Sequence, residues 1–139
     1  MKTKFLISCF TLLTLVCCTS PKQNLTASEW SLVSVRANNG DKMLTPNSYN
    51  VPMLRVFANG TISGTTGCNK FIGDVAVTGT ALKFGDIVVT RMSCPDTTGL
   101  ENALLNMLNV VDSYTIEKGL LILKKNNEAY ATYRSSWGK

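Results

Sequence analysis

Residues 53–65 read MLRVFANGTISGT, and this stretch indicates the fold class of the chain. Two runs rich in β-branched and apolar residues flank Asn59-Gly60, a dipeptide that suits a type I′ turn. We therefore expect an antiparallel hairpin with strands over residues 53–58 and 61–65.

Short strand patterns continue on both sides of this hairpin. Strands are predicted at residues 30–36, 75–77, 82–89, 114–117, 120–124 and 129–133. Turn residues separate these runs, and no alternation of strands with helices is present. Residues 37–52 are rich in turn formers and are predicted to form a long loop. The sequence thus predicts about eight antiparallel strands.

One segment between the strands has the spacing of a helix. Thr98 and Glu101 match a capping box, in which each side chain bonds a free N–H of the first turn. The apolar residues that follow at helical intervals are Leu100, Ala103, Leu104, Met107, Leu108 and Val111. Because such a stripe must be buried, we expect a mainly β (α+β) fold, a partly open antiparallel β-barrel closed by one amphipathic helix.

Composition excludes several classes of function. The 139 residues form one domain by length and contain no histidine, which removes Ser/His/Asp and Cys/His catalytic sites and His-containing zinc sites. The net charge is +5, and +3 (12 basic against 9 acidic) without Lys2 and Lys4 of the predicted signal. This excess of basic residues is small and they form no cluster in the sequence, which argues against nucleic-acid binding. We expect no metal or other cofactor.

The N-terminus has the pattern of an export signal. Lys2 and Lys4 precede an apolar run over residues 5–16. Twelve helical residues span about 18 Å, too short for a bilayer core of about 30 Å. We predict a signal peptide over residues 1–17 that is removed, a lipidated tether over residues 18–27, and the folded domain over residues 28–139.

The end of this segment, Leu15-Val16-Cys17-Cys18, resembles a bacterial lipobox, in which the chain is cut before a cysteine that carries acyl chains. Cys18 is the better acceptor because the small Cys17 then occupies the −1 position. Acyl chains would anchor the protein to a membrane. Thr19 stands where a retention signal would need Asp, which favours the outer membrane of the bacterial envelope. An ordinary cleaved signal peptide is the alternative.

With these elements placed, the chain resembles the META domain (HslJ-like) family over residues 30–133. The most specific stretch is residues 56–74, VFANGTISGTTGCNKFIGD. The matching positions there are Gly64, Gly67, Cys68, Asn69, Phe71 and Gly73. A second motif, residues 90–95 (TRMSCP), matches at Thr90, Arg91, Met92 and Cys94, and a third spans residues 110–123. The family's usual aromatic after Gly73 is absent here, where Asp74-Val75 stands.

The resemblance implies a partly open antiparallel barrel with one helix and a place in the cell envelope, as a lipoprotein or periplasmic protein. It implies a role related to stress or envelope integrity, with no established activity or catalytic residues. The fold is also similar to that of small lipid-binding pilot proteins, an analogy that cannot establish function alone.

Cys68 and Cys94 remain as the two cysteines beyond the signal. In an oxidising compartment they would most often pair, closing a loop of about 26 residues. The alternative is two separate buried thiols.

The motif glycines and the charged residues near the motifs each have two interpretations. Gly64, Gly67 and Gly73 suit bends and bulges of a strand, with a ligand cradle as the alternative. Arg91 is expected to pair internally, with recognition of an anionic group as the alternative. Asp74 and Asp86 are expected in turns rather than as an acid–base pair.

Two functions follow from these observations. The first is a non-catalytic, monomeric lipoprotein that docks to another envelope protein. The second is a module that binds a small apolar ligand or lipid tail beside the helix, in contact with Leu104, Met107 and Leu108. An enzyme is disfavoured.

Overall fold

The structure is a computed structural model that describes residues 24–94 and 99–136. The strands in these ranges are β1 Glu29–Arg36, β2 Met43–Leu44, β3 Met53–Val56, β4 Thr61–Thr65, β5 Lys70–Thr78, β6 Ala81–Val89, β7 Ser113–Glu117, β8 Leu120–Lys125 and β9 Glu128–Ser135, and helix α1 is Leu100–Val110. The mainly β class with one helix is confirmed. The predicted signal peptide and Cys18 lie outside the described residues. Within the described ranges, no helix has the length and apolar character needed to cross a membrane.

The strands form one antiparallel sheet that closes on itself. Their order is β2-β1-β3-β4-β5-β6-β7-β8-β9, and an additional pairing of β1 with β9 closes a ring. The shortest strand pairing in the ring is that of β6 with β7, whose register consists of the single residue pair Ala81 and Ser113. Helix α1 packs against β1 and β6, which lie on different sides of the ring, so it covers the interior that the strands leave open.

Apolar side chains fill the ring. The strands contribute the largest buried residues, among them Trp30, Leu54, Leu121 and Tyr133. The helix adds Ala103, Leu104, Met107 and Leu108, all of which belong to the same core cluster. Burying one leucine or methionine side chain stabilises the fold by about 1.5–3 kcal/mol, so the helix is an integral part of the core.

Residues 24–27, which were predicted to belong to the tether, pack against one end of the ring. Ala27 N–H donates to Asn24 O at 3.0 Å, and the side chain of Leu25 is buried. The indole N–H of Trp30 donates to Leu25 O at 2.9 Å, and Ser135 Oγ lies 3.0 Å from Ser28 Oγ. The chain is therefore fixed to the folded domain from Asn24 onward.

The turn at Asn59-Gly60 differs from the prediction. A type I′ turn needs positive φ at both residues, but only Gly60 has it (φ 83°). Gly60 N–H donates to Phe57 O at 3.1 Å, which indicates a type I turn followed by a G1 bulge. The two-residue β2 lies inside the stretch predicted as a loop, and β5 begins at Lys70 rather than at Val75.

Candidate functional site

The turn between β4 and β5 brings the first family motif into a compact unit. Thr66 N–H donates to Asn69 O at 2.8 Å, and Asn69 N–H donates to Thr66 Oγ1 at 2.8 Å. Gly67 has a φ of 94°, and a Cβ there would lie 2.7 Å from Asn50 O. Only glycine combines this backbone conformation with that close approach, so the turn requires it.

The side chain of Asn69 uses all of its hydrogen-bonding capacity. Oδ1 accepts from Met92 N–H at 2.7 Å and from Thr90 Oγ1 at 2.9 Å. Nδ2 donates to Glu101 Oε1 at 2.8 Å and to Met92 O at 3.1 Å. Asn69 is 4% exposed, so these bonds replace those that water would make. One side chain thus joins the β4–β5 turn, the segment after β6 and helix α1.

Glu101 makes two hydrogen bonds that the sequence did not predict. The N-cap of α1 is Gly99 rather than the predicted Thr98 and makes no side-chain capping bond, and the predicted bond between Glu101 and Thr98 lies outside the described residues. Glu101 Oε1 accepts from Thr66 Oγ1 at 2.8 Å and from the Asn69 amide at 2.8 Å. Thr66 is 1% exposed, and this residue was missed because its partner is 35 positions away. We call Thr66, Asn69, Thr90 and Glu101 the polar network.

A disulfide reinforces the polar network. Cys68 and Cys94 are bonded, with their Cα atoms 6.0 Å apart, and this confirms the predicted pairing. Cys68 lies in the β4–β5 turn, and Cys94 lies two residues after Met92. Both backbone groups of Met92 are bonded to Asn69, so residues 90–94 are held at one point by hydrogen bonds and at another by a covalent bond.

The remaining motif glycines make room for neighbouring protein atoms. A Cβ on Gly64 would overlap Met53 O and the ring of Phe71, its partner residue on β5. A Cβ on Gly73 would lie 2.6 Å from Ile87 Cδ1 and 2.9 Å from Gly85 O. The space beside both residues is already filled, which favours the structural interpretation over a ligand cradle.

An apolar patch lies on the outside of the sheet close to the polar network. Ile72 on β5 and Val88 on β6 are directly opposite in register, and they are 60% and 63% exposed. Met92 is 58% exposed, and its bonds to Asn69 place it just beyond the start of β5. We call Ile72, Val88 and Met92 the outer patch.

Charged side chains border the outer patch. Lys70 precedes Ile72 on the same face of β5, and Arg91 is adjacent to Met92; both are exposed. Neither makes an ion pair within residues 24–94 and 99–136, so the expected internal partner of Arg91 is not found there. Asp74 is exposed on β5, and Asp86 is exposed at a residue of β6 with positive φ (50°).

A comparison of sequences decides the family. A model of the META domain family matches residues 23–137, which is most of the chain. The chain belongs to the META domain family. A comparison with curated proteins finds no match.

Solved structures resemble this META domain in fold. An NMR structure of a protein from Burkholderia xenovorans is 26% identical, with a TM-score of 0.67 over 82% of this chain and 85% of that one. A second NMR structure is 24% identical, with a TM-score of 0.61 over 80% and 91%. A crystal structure of a DUF4847 family protein from Bacteroides vulgatus is 16% identical, with a TM-score of 0.58 over 83% and 96%. These similarities show a shared fold.

The three residues predicted to contact a ligand lie in the core of the META domain. Leu104, Met107 and Leu108 are buried and pack with the strand residues of the core. A cleft of about 450 Å³ lies between the β5–β6 hairpin and the end of the helix, and one of about 390 Å³ lies beside Asn24. Neither cleft is lined by these three side chains.

Proposed function

We propose that this META domain chain is a non-catalytic lipoprotein of the bacterial cell envelope that supports envelope integrity under stress. Acyl chains on Cys18 would hold it on the membrane, and Thr19 favours the outer membrane. The disulfide supports export, because such bonds persist in oxidising compartments. The protein would act by docking to another envelope protein.

The outer patch is the observation that carries this proposal. Single exposed apolar residues are common on protein surfaces. Here Ile72 and Val88 are cross-strand neighbours, which places their Cβ atoms about 5 Å apart, and both point to solvent. Met92 follows four residues after Val88 and is also exposed, so three exposed apolar side chains lie near the start of β5. This local concentration of exposed apolar side chains supports a protein contact at this site.

The charges around the outer patch define the chemistry of the partner. Lys70 and Arg91 are exposed cations without an ion-pair partner in the part of the chain that the structure describes. A protein surface that presents apolar side chains beside a carboxylate would complement both features. We therefore propose a protein partner with an acidic residue opposite Arg91.

The polar network would serve this contact by fixing the segment that carries Arg91 and Met92. A surface that is already ordered loses less conformational entropy when a partner binds. In this proposal the Gly-Cys-Asn and Thr-Arg-Met motifs position the contact surface and take no part in a chemical reaction.

A photo-crosslinking map in cells tests the proposal. A benzophenone amino acid is placed in full-length protein at Val88, or at Ala129, which is exposed on β9, four strands from β5 in either direction round the ring. We expect one discrete protein adduct from Val88, its loss when Arg91→Glu is added, and no such adduct from Ala129. Equal adducts from both positions, an adduct with a second copy of the chain, or no adduct from Val88 would contradict docking to another protein. Turnover of an envelope substrate by the purified protein would contradict the non-catalytic role.

A further inference from the structure

The end of the ring that receives the N-terminal segment carries exposed apolar side chains. A cleft of about 390 Å³ opens there, and its lining includes Leu25, Val56, Phe57, Val75, Val77 and Tyr114. On the rim of this cleft, Phe57 is 36% exposed and Val77 is 42% exposed. We call Phe57 and Val77 the rim pair.

The position of Asn24 limits how far this end can lie from a lipid anchor. The bond from Trp30 to Leu25 O fixes the chain to the ring, and Asn24 itself lines the cleft. Six residue steps separate Asn24 from Cys18. A fully extended chain advances at most about 3.6 Å per residue, so these steps reach roughly 22 Å.

We propose that the rim pair faces the bilayer that holds the anchor, with Phe57 and Val77 in contact with its interfacial region. This inference rests on the acylation of Cys18 in the proposed function. A cation beside the rim pair also suits a bilayer surface. The guanidinium of Arg55 lies 5.2 Å from the ring centroid of Phe57 and makes no ion pair within the described residues. It is therefore free to bind lipid phosphates. The bilayer surface is therefore the occupant to which the chemistry points.

This orientation keeps the outer patch available for a protein. Val77 and Ile72 lie on the same strand, five residues apart. At about 3.3 Å per residue, the outer patch is about 17 Å farther along β5 than the rim pair. One end of the ring would meet lipid while the other end of β5 presents the outer patch.

Quenching by brominated lipids tests the orientation. Full-length protein, purified with its native N-terminal modification, is reconstituted into phosphatidylethanolamine and phosphatidylglycerol vesicles that contain lipids brominated near the headgroup. Tryptophan is introduced as Phe57→Trp or Val77→Trp, with Tyr49→Trp and Val88→Trp as matched controls. The quenching of the parent protein, which has Trp30 and Trp137, is subtracted. The mass of the mature N-terminal peptide is measured on the same samples.

We expect an acylated N-terminus and loss of the added emission for both rim variants, with the added emission of both controls retained. Acylated protein with no quenching at the rim, or with equal quenching at all four positions, would overturn the orientation and leave the anchor intact. A mature N-terminus without acyl chains would overturn the anchor itself, and this inference with it.

Discussion

Replacing Asn69 by alanine would remove the centre of the polar network. The substitution deletes two bonds to Met92, one to Thr90 and one to Glu101. A neutral hydrogen bond contributes about 1 kcal/mol and a bond to a charged group about 2 kcal/mol, although such values are not strictly additive. The four bonds together give about 5 kcal/mol. Because the contributions are not additive, we expect Asn69→Ala to lower the free energy of unfolding by somewhat less, about 4 kcal/mol, which is a large part of the 5–15 kcal/mol typical of a domain.

Urea unfolding of the oxidised protein measures this loss. Asn106→Ala is the matched control, because that amide donates a single bond, to Tyr130 Oη at 2.8 Å, and should cost about 1 kcal/mol or less. Asn69→Asp keeps the shape but places a second carboxylate oxygen against Met92 O and Glu101, so it should destabilise at least as much as alanine. If Asn69→Ala costs no more than Asn106→Ala, or if Asn69→Asp is as stable as wild type, the reasoning is refuted.

Three further predictions concern other parts of the fold. Gly64→Ala should lower the free energy of unfolding in urea by about 2 kcal/mol, because the added Cβ would overlap Phe71. In the control Gly85→Ala, the added Cβ meets nothing within 4 Å, so the free energy of unfolding should change by no more than about 0.5 kcal/mol. Equal losses in the two variants would contradict the overlap at Gly64. Cys68→Ala combined with Cys94→Ala should lose about 3.5 kcal/mol for a 26-residue loop, and an unchanged unfolding midpoint would contradict this. The Asn126 N–H, the Ser113 hydroxyl and Lys125 lower the pKa of Asp112 in the folded protein from its ordinary value of 3.8. The carboxylate therefore stabilises the fold fully above pH 3.8, and this stabilisation is lost as the pH falls through the lowered pKa of the folded protein. Asp112→Asn should therefore lose less stability than wild type in acid, and an identical acid profile would show that this carboxylate contributes nothing.

The strands were predictable where local pattern and turn chemistry agree. Residues 61–65 were predicted with the bounds that the structure shows, and β8 ends one residue later than predicted. The start of β5 was missed because Gly73 and Asp74 have low strand propensity, and the structure places a register shift there. The two-residue β2 is too short to leave a periodic signal.

The site was less predictable because its contacts join distant residues. The spacing of Thr98 and Glu101 suggested a local cap, but the carboxylate is bonded to Thr66 and Asn69, more than 30 positions away. The outer patch was also hidden, because Ile87, Val88 and Val89 form one apolar run. Which of them faces solvent depends on the irregularity at Asp86, whose φ of 50° shifts the register of β6 against β5.

The dependence of docking on Asn69 tests the central claim most directly. Full-length protein with the crosslinker at Val88 is compared in cells with the same protein carrying Asn69→Ala or Asn106→Ala, at matched amounts of folded, oxidised protein. If the polar network positions the outer patch for a partner, the Val88 adduct is lost with Asn69→Ala and retained with Asn106→Ala. An adduct of the same yield in all three proteins would contradict the account.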